Sequence, residues 1–91
     1  MKKAVKITIH GLVQGVFFRN FIKESADSLN VKGFVRNLDN GKVEICAEGD
    51  IDNVDKLHEM CKQGPKFAKI KEISIEEIKF QDFKEFKILH I

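Results

Sequence analysis

A single arginine lies near the end of an apolar, glycine-containing segment close to the start of the chain. The segment reads GLVQGVFFRN at 11–20, and Arg19 is its only fully charged residue. Of the 16 Lys and Arg residues in the chain, only Arg19 and Arg36 are arginine. Arginine carries a planar fork of donors that can grip two oxygens of one phosphate, which lysine cannot do. These residue types favour an oxyanion site in which Arg19 supplies the fixed positive charge.

The backbone around Arg19 could complete such a site. A loop that leads into a helix presents unpaired N–H groups, and the helix dipole adds positive potential there. Gly11 and Gly15 would let the backbone approach a ligand without an intervening Cβ. We expect four apolar side chains to anchor the loop and to lower the local dielectric constant. These are Val13, Val16, Phe17 and Phe18.

Two interpretations of this segment remain open at the level of the residues alone. In one, the loop is only a connection between a strand and a helix, and Arg19 is a solvated surface charge. In the other, the loop binds phosphate, and Asn37, at the end of the next strand, takes part in the site. Asn37 has its own alternative role, because asparagine at a strand end often forms a turn.

Hydrophobic periodicity predicts the elements that would position these residues. The chain alternates over 4–10, changes to helical spacing from Phe18 to Leu29, and then returns to strand patterns. The further predicted strands are 33–38, 42–48, a stretch containing Ile73 and Ile75, and 86–89. A turn at 39–41, a cap at Asn30, and a second helix between an Asp50 cap and a Gly64-Pro65 stop complete the set.

The order β-α-β-β-α-β predicts an α+β, ferredoxin-like sandwich with an antiparallel sheet and two helices on one face. A right-handed crossover makes the first two strands parallel and places the third strand between them. The segment 11–19 and Asn37 should therefore meet at one edge of the sheet.

Two segments resemble the signatures of a known family. IHGLVQGVFFR at 9–19 is similar to the first signature of the acylphosphatases, in which the position of Phe17 is free. GFVRNLDNGKVEICAEG at 33–49 is similar to the second. The chain departs from many relatives at Asn30, where they have glycine, and at Phe34, where they have tryptophan.

The resemblance implies hydrolysis of acyl phosphates to a carboxylate and inorganic phosphate, with no metal and no cofactor. It implies that Arg19 is the phosphate-binding catalytic residue and that Asn37 holds the attacking water. It also implies that a run of backbone amides binds the phosphate. These amides belong to Gln14, Gly15, Val16, Phe17, Phe18 and Arg19. A carboxylate is a stable leaving group at pH 7, so this chemistry requires no general acid.

Two other functions compete with this one. The chain could be a non-catalytic module of the same family that binds a phosphate-bearing ligand. It could also bind RNA, since KGFV at 32–35 is similar to the first half of an RNA-binding motif, but the rest of that motif is absent.

Length and composition set the remaining expectations. The 91 residues fit one domain over 1–91, and a net charge of +2 argues against nucleic acid or an anionic membrane as partner. Cys46 and Cys61 lack the spacing of metal ligands, which favours free thiols in a reducing cytoplasm. We expect a cytoplasmic monomer whose partner is a small-molecule acyl phosphate.

Overall fold

A computed structural model describes residues 1–12, 16–66 and 68–89. It contains five strands and two helices in the predicted order. They are β1 (Lys2–Leu12), α1 (Val16–Ser28), β2 (Lys32–Asn37), β3 (Val43–Asp50), α2 (Ile51–Gln63), β4 (Lys69–Glu77) and β5 (Phe86–Leu89). No helix in these three ranges is both long and apolar enough to cross a bilayer.

The five strands form one sheet in the order β4-β1-β3-β2-β5. The β1–β3, β1–β4 and β2–β3 pairs are antiparallel, so β1 and β2 run parallel on either side of β3, as the crossover rule predicts. The prediction of an antiparallel sheet is thus confirmed for β1, β2, β3 and β4. β5 pairs parallel with β2 and makes the sheet mixed. The reason is topological: β4 lies at the opposite edge and ends where β2 begins, so the chain must cross the sheet before β5 starts.

Both helices pack on the same face of the sheet and contact each other. Successive side chains of a strand face opposite sides of the sheet, so every second residue of a strand points toward the helices. These strand side chains pack against the apolar side chains of both helices and form one continuous core. Its largest members from the strands and helices include Ile7, Ile9, Val35, Ile45, Phe18, Ile22, Val54, Leu57 and Phe86.

The crossing from β4 to β5 is held by a buried carboxylate. Glu48 lies on the sheet face away from the helices and is 2% exposed. Its Oε1 accepts a hydrogen bond from the Gln81 N–H at 2.8 Å, and its Oε2 accepts one from the Phe83 N–H at 2.7 Å. The Phe83 ring also meets the Phe34 ring edge-on, with 5.9 Å between centroids. These contacts hold residues 81–83 against the sheet, three residues before β5 begins at Phe86.

The predicted caps and turn are confirmed except at one residue. Asn30 has a φ of 56°, the left-handed conformation expected of a helix C-cap. Gly64 ends α2 and donates its N–H to the Met60 carbonyl at 2.8 Å. The 39–41 turn is closed by the Leu38 N–H and the Lys42 carbonyl at 2.8 Å. Asp50 occupies the N-cap position of α2, but its side chain makes no capping hydrogen bond.

Gly11 has a structural role that the sequence did not predict. It lies inside β1, at the register shift that separates His10 from Gly11 in the β1–β4 pairing. Its φ is 148°, and a Cβ at this position would overlap the carbonyl oxygen of Lys69. The missing side chain therefore admits the backbone of β4. Gly15 falls outside the described residues.

We predict that Gly11→Ala lowers the free energy of unfolding by about 2–3 kcal/mol, because β1 and β4 must separate to accommodate the methyl group. Gly41→Ala is the matched control. Gly41 has a φ of 85°, but nothing lies within 4 Å of a Cβ there, so we expect a loss of about 1 kcal/mol from backbone strain alone. Urea unfolding followed by circular dichroism measures both values. Equal losses would contradict a role for Gly11 in the close approach of β4.

Candidate active site

The first turn of α1 and the end of β2 lie at the same end of the sheet. α1 connects the end of β1 to the start of β2, and these two strands run parallel, so the helix must begin where both strands end. Asn37 is the last residue of β2 and pairs with Val43, which pairs in turn with Ile9. Asn37 therefore lies in the row of Ile9, just before β1 runs into the segment that carries Arg19.

The Asn37 side chain has an unusual environment. It shares the helix-covered face of β2 with the buried Val35, because the two residues are two positions apart in a strand. Its Oδ1 is buried and has no hydrogen-bond partner among the residues that the structure describes. An unsatisfied buried acceptor costs about 1–3 kcal/mol. Bound water or a ligand can satisfy a buried acceptor in this state.

The first turn of α1 is suited to an anion. The first four N–H groups of an α-helix have no acceptor within the helix, and the dipole makes this end positive. The first turn of α1 contains no acidic residue, whereas that of α2 contains Asp52. Arg19 lies in the first turn of α1 and is partly exposed. This end of the helix thus combines main-chain donors with a permanent cation.

The six predicted phosphate-binding amides divide into two groups. Those of Val16, Phe17, Phe18 and Arg19 begin α1, and those of Gln14 and Gly15 lie outside the described residues. Phe18 is 3% exposed and anchors the turn in the core. A Cβ placed on Gly64 would lie 3.8 Å from Cε1 of Phe18, so the end of α2 adjoins this first turn.

Phe17 does not anchor the loop as predicted. Its side chain is 85% exposed. Successive helical residues are rotated by about 100°, so the rotation that turns Phe18 toward the sheet turns Phe17 toward water. The side chains of Val13 and Val16, the other two expected anchors, lie outside what the structure describes. The sequence contained a signal for this difference, since Phe18 and not Phe17 is in phase with Ile22 and Ala26.

Arg36, the other arginine, lies on the opposite face of the sheet from Asn37. Its Nε donates to Oε1 of Glu44, directly across the β2–β3 pair, at 2.8 Å. Its guanidinium also lies 5.9 Å from the centre of the Phe34 ring. These contacts assign Arg36 a cross-strand structural role and leave Arg19 as the arginine at the candidate site.

The cysteines and histidines do not form a nucleophilic or metal-binding group in the described ranges. Both cysteines are free, as the sequence predicts, and both are buried. Burial raises the pKa of the Cys61 thiol to about 12, and burial followed by the charge of Glu44 raises the pKa of Cys46. Both thiols therefore stay protonated near neutral pH and are poor nucleophiles. Partial burial lowers the pKa of His58 on α2. Within 1–12, 16–66 and 68–89, no three His, Cys, Asp or Glu residues could together hold a metal ion.

Comparison with known proteins identifies the family of this chain. The acylphosphatase family model matches residues 5–88. The chain belongs to the acylphosphatase family. The match includes both segments, 9–19 and 33–49, from which the resemblance was drawn, and it confirms that resemblance. An acylphosphatase of Acaryochloris marina is 44% identical over 85 residues, which are 93% of this chain and 91% of the relative.

Comparison with solved structures confirms the ferredoxin-like fold. The crystal structure of acylphosphatase from Bacillus subtilis superposes with a TM-score of 0.92 at 36% identity, covering 99% of this chain and 100% of that one. The crystal structure of full-length HypF in the phosphate- and nucleotide-bound form matches with a TM-score of 0.88 at 31% identity. That match covers 99% of this chain but 12% of HypF. The same fold thus occurs both as a whole chain and as a small part of a larger protein.

The orphaned acceptor of Asn37 leads to a prediction about stability. Asn37→Ala removes a buried polar group that lacks a partner in the described part of the chain. We therefore expect the free energy of unfolding to stay within about 1 kcal/mol of the wild-type value, or to rise. Glu48→Gln is the matched control, because Glu48 is also buried but both of its oxygens accept N–H groups. The amide replaces one acceptor with a donor, and we expect a loss of about 2–3 kcal/mol.

Chemical denaturation of the two variants measures this difference. A loss at Asn37→Ala as large as that at Glu48→Gln would show that the Asn37 side chain is a satisfied structural group.

Proposed function

We propose that this protein hydrolyses acyl phosphates, which are carboxyl-phosphate anhydrides, to a carboxylate and inorganic phosphate. The observation that carries the proposal is the family match over residues 5–88, which assigns the chain to the hydrolases that act on acid anhydrides. The geometry at the end of the sheet supports the assignment of roles, because the first turn of α1 and Asn37 lie at the same end.

In this proposal the phosphoryl group binds at the start of α1. The backbone amides of Gln14 to Arg19 surround its oxygens, and the Arg19 guanidinium binds two of them. Phosphoryl transfer places negative charge on the three equatorial oxygens, and catalysis comes mainly from positioning and from stabilising that charge. The absence of an acidic residue from the first turn of α1 supports this role, because a carboxylate there would compete with the substrate.

Asn37 positions the attacking water. Its buried Oδ1 can accept a hydrogen bond from the water and thereby aim the oxygen lone pair at phosphorus. An amide cannot take up a proton near neutral pH, so the proton of the water passes to a phosphate oxygen. The P–O bond to the acyl group breaks, and both of its electrons leave with the carboxylate. This leaving group is stable without protonation, and Arg19 with the amides supplies the positive charge, so the proposed reaction uses no metal and no cofactor.

A non-catalytic phosphate-binding module is the second candidate. The match to part of HypF favours it, because there the same fold belongs to a much larger chain. The two functions differ in one measurable respect. A module would bind phosphate without turnover, whereas the enzyme would release inorganic phosphate from an acyl phosphate.

We also propose the setting in which the protein acts: one domain over residues 1–91, present as a monomer in the cytoplasm. Two buried free thiols support a reducing compartment. The net charge of +2 supports a small-molecule acyl phosphate as partner, rather than nucleic acid or a membrane.

The roles of Arg19 and Asn37 can be separated by kinetics on benzoyl phosphate in the presence of EDTA. Arg19→Lys keeps the charge but loses the planar fork, so we expect kcat/KM to fall by about 10²–10³-fold and phosphate binding to weaken. Asn37→Ala loses the group that orients water. We expect kcat to fall by about 10²-fold while inhibition by inorganic phosphate stays within about twofold of wild type.

Arg36→Lys and Asn53→Ala are the matched controls, and we expect both to keep wild-type kinetics. They make the same chemical changes on the opposite sheet face and on α2. Near-normal turnover by Arg19→Lys and Asn37→Ala would rule out these roles. If a phosphate monoester were hydrolysed at the same rate as benzoyl phosphate, the protein would belong to another functional class of phosphatase.

A further inference from the structure

The side chain of Phe17 is exposed to solvent beside the proposed phosphate site. At 85% exposed it is the most exposed phenylalanine among the described residues. It lies in the first turn of α1, two residues before Arg19, and its neighbour Phe18 is buried. The family signature leaves this position free. The phosphate site therefore does not require an aromatic ring at this position.

The Phe17 ring forms one wall of an open cavity of about 500 Å³ along the outer side of α1. Phe21, one turn further along the helix, and Pro65, just after α2, form the adjoining walls. Small-molecule sites usually measure about 300–1,000 Å³ and combine apolar walls with a few polar groups. This cavity has the size of such a site, and it begins at the same helical turn as the proposed phosphate site.

The geometry of the reaction places the acyl group on this side of the helix. In phosphoryl transfer the attacking and leaving oxygens lie roughly in line on opposite sides of phosphorus. The proposed water is held by Asn37, which lies on the sheet side of the α1 terminus. With the water held by Asn37, the acyl group leaves on the opposite side of phosphorus, away from the sheet. Phe17 and the cavity lie on the solvent side of the same helical turn.

The charges around the cavity bear on which acyl groups fit. Lys23 Nζ lies 2.9 Å from Oδ2 of Asp27 and also donates to the Phe86 carbonyl at 3.0 Å. These two contacts fix the position of the ammonium group, and the carboxylate of Asp27 compensates its positive charge. The cavity wall also contains Glu24, whose negative charge this pair does not offset. Glu24 lies seven residues from Phe17, about 10 Å along the helix. An acyl group that ends in a carboxylate would point its charge toward Glu24.

We propose that Phe17, Phe21 and Pro65 form a subsite for an uncharged apolar acyl group, and that Glu24 disfavours acyl groups with a terminal negative charge. This inference rests on the proposed hydrolysis of acyl phosphates. We expect the protein to hydrolyse aromatic and branched aliphatic acyl phosphates faster than acetyl phosphate. We also expect it to hydrolyse them faster than acyl phosphates that carry a second anionic group.

The test compares three substrates: benzoyl phosphate, acetyl phosphate and 4-carboxybenzoyl phosphate. In Phe17→Ala we expect the ratio of kcat/KM for benzoyl phosphate to that for acetyl phosphate to fall about tenfold. In Glu24→Gln we expect kcat/KM for 4-carboxybenzoyl phosphate to rise about three- to fivefold relative to benzoyl phosphate. Phe80→Ala and Glu76→Gln are the matched controls, because Phe80 is also an exposed phenylalanine and Glu76 lies on the other sheet face. We expect both controls to keep the wild-type ratios.

Each contrary outcome has a distinct meaning. Hydrolysis of all three substrates with ratios unchanged in Phe17→Ala would overturn the subsite and leave the proposed function standing. A concentration-dependent dimer that is lost in Phe17→Ala, with unchanged ratios, would assign the Phe17 surface to a second copy and also overturn it. If the wild-type protein hydrolyses none of the three, the proposed function falls, and the subsite falls with it.

Discussion

The position of β3 between β1 and β2 is the constraint on which the rest of this molecule depends. Because β3 pairs antiparallel with both neighbours, β1 and β2 must run in the same direction, and the helix that joins them must begin where both end. Residues 16–19 and Asn37, distant in sequence, are thereby brought to one end of the sheet. The candidate active site is thus a consequence of strand order before any side chain is considered.

The two ends of the sheet satisfy their buried polar groups differently. At one end Glu48 accepts two backbone hydrogen bonds and fixes the crossing to β5. At the other, the Asn37 oxygen has no partner among the described residues, and the first turn of α1 lacks an acidic residue. A folded protein tolerates such unsatisfied groups where a ligand supplies what is missing. The contrast supports the proposed site at the Asn37 end and assigns Glu48 a structural role at the other end.

Local patterns predicted the elements of this fold well, because strands and helices differ in period and each buries one face. Contacts between distant segments could not be predicted in this way. The role of Gly11 depends on the approach of the β4 backbone at Lys69, and the partners of Glu48 are 33 and 35 residues away. The exposure of Phe17 depends on the phase of a helix, which changes side-chain direction by about 100° per residue. The placement of Asn37 was predictable because it follows from handedness and strand order.

Binding of inorganic phosphate, the product of the proposed reaction, tests whether residues 14–19 and Asn37 form one site. A titration followed by ¹⁵N NMR reports on the backbone amides and on the side-chain amide of Asn37 in the same spectrum. We predict saturable shifts at the amides of residues 14–19 and at the Asn37 side chain, with little change at Arg36 on the other sheet face. Saturable binding that shifts a different region and leaves residues 14–19 and Asn37 unmoved would contradict this prediction.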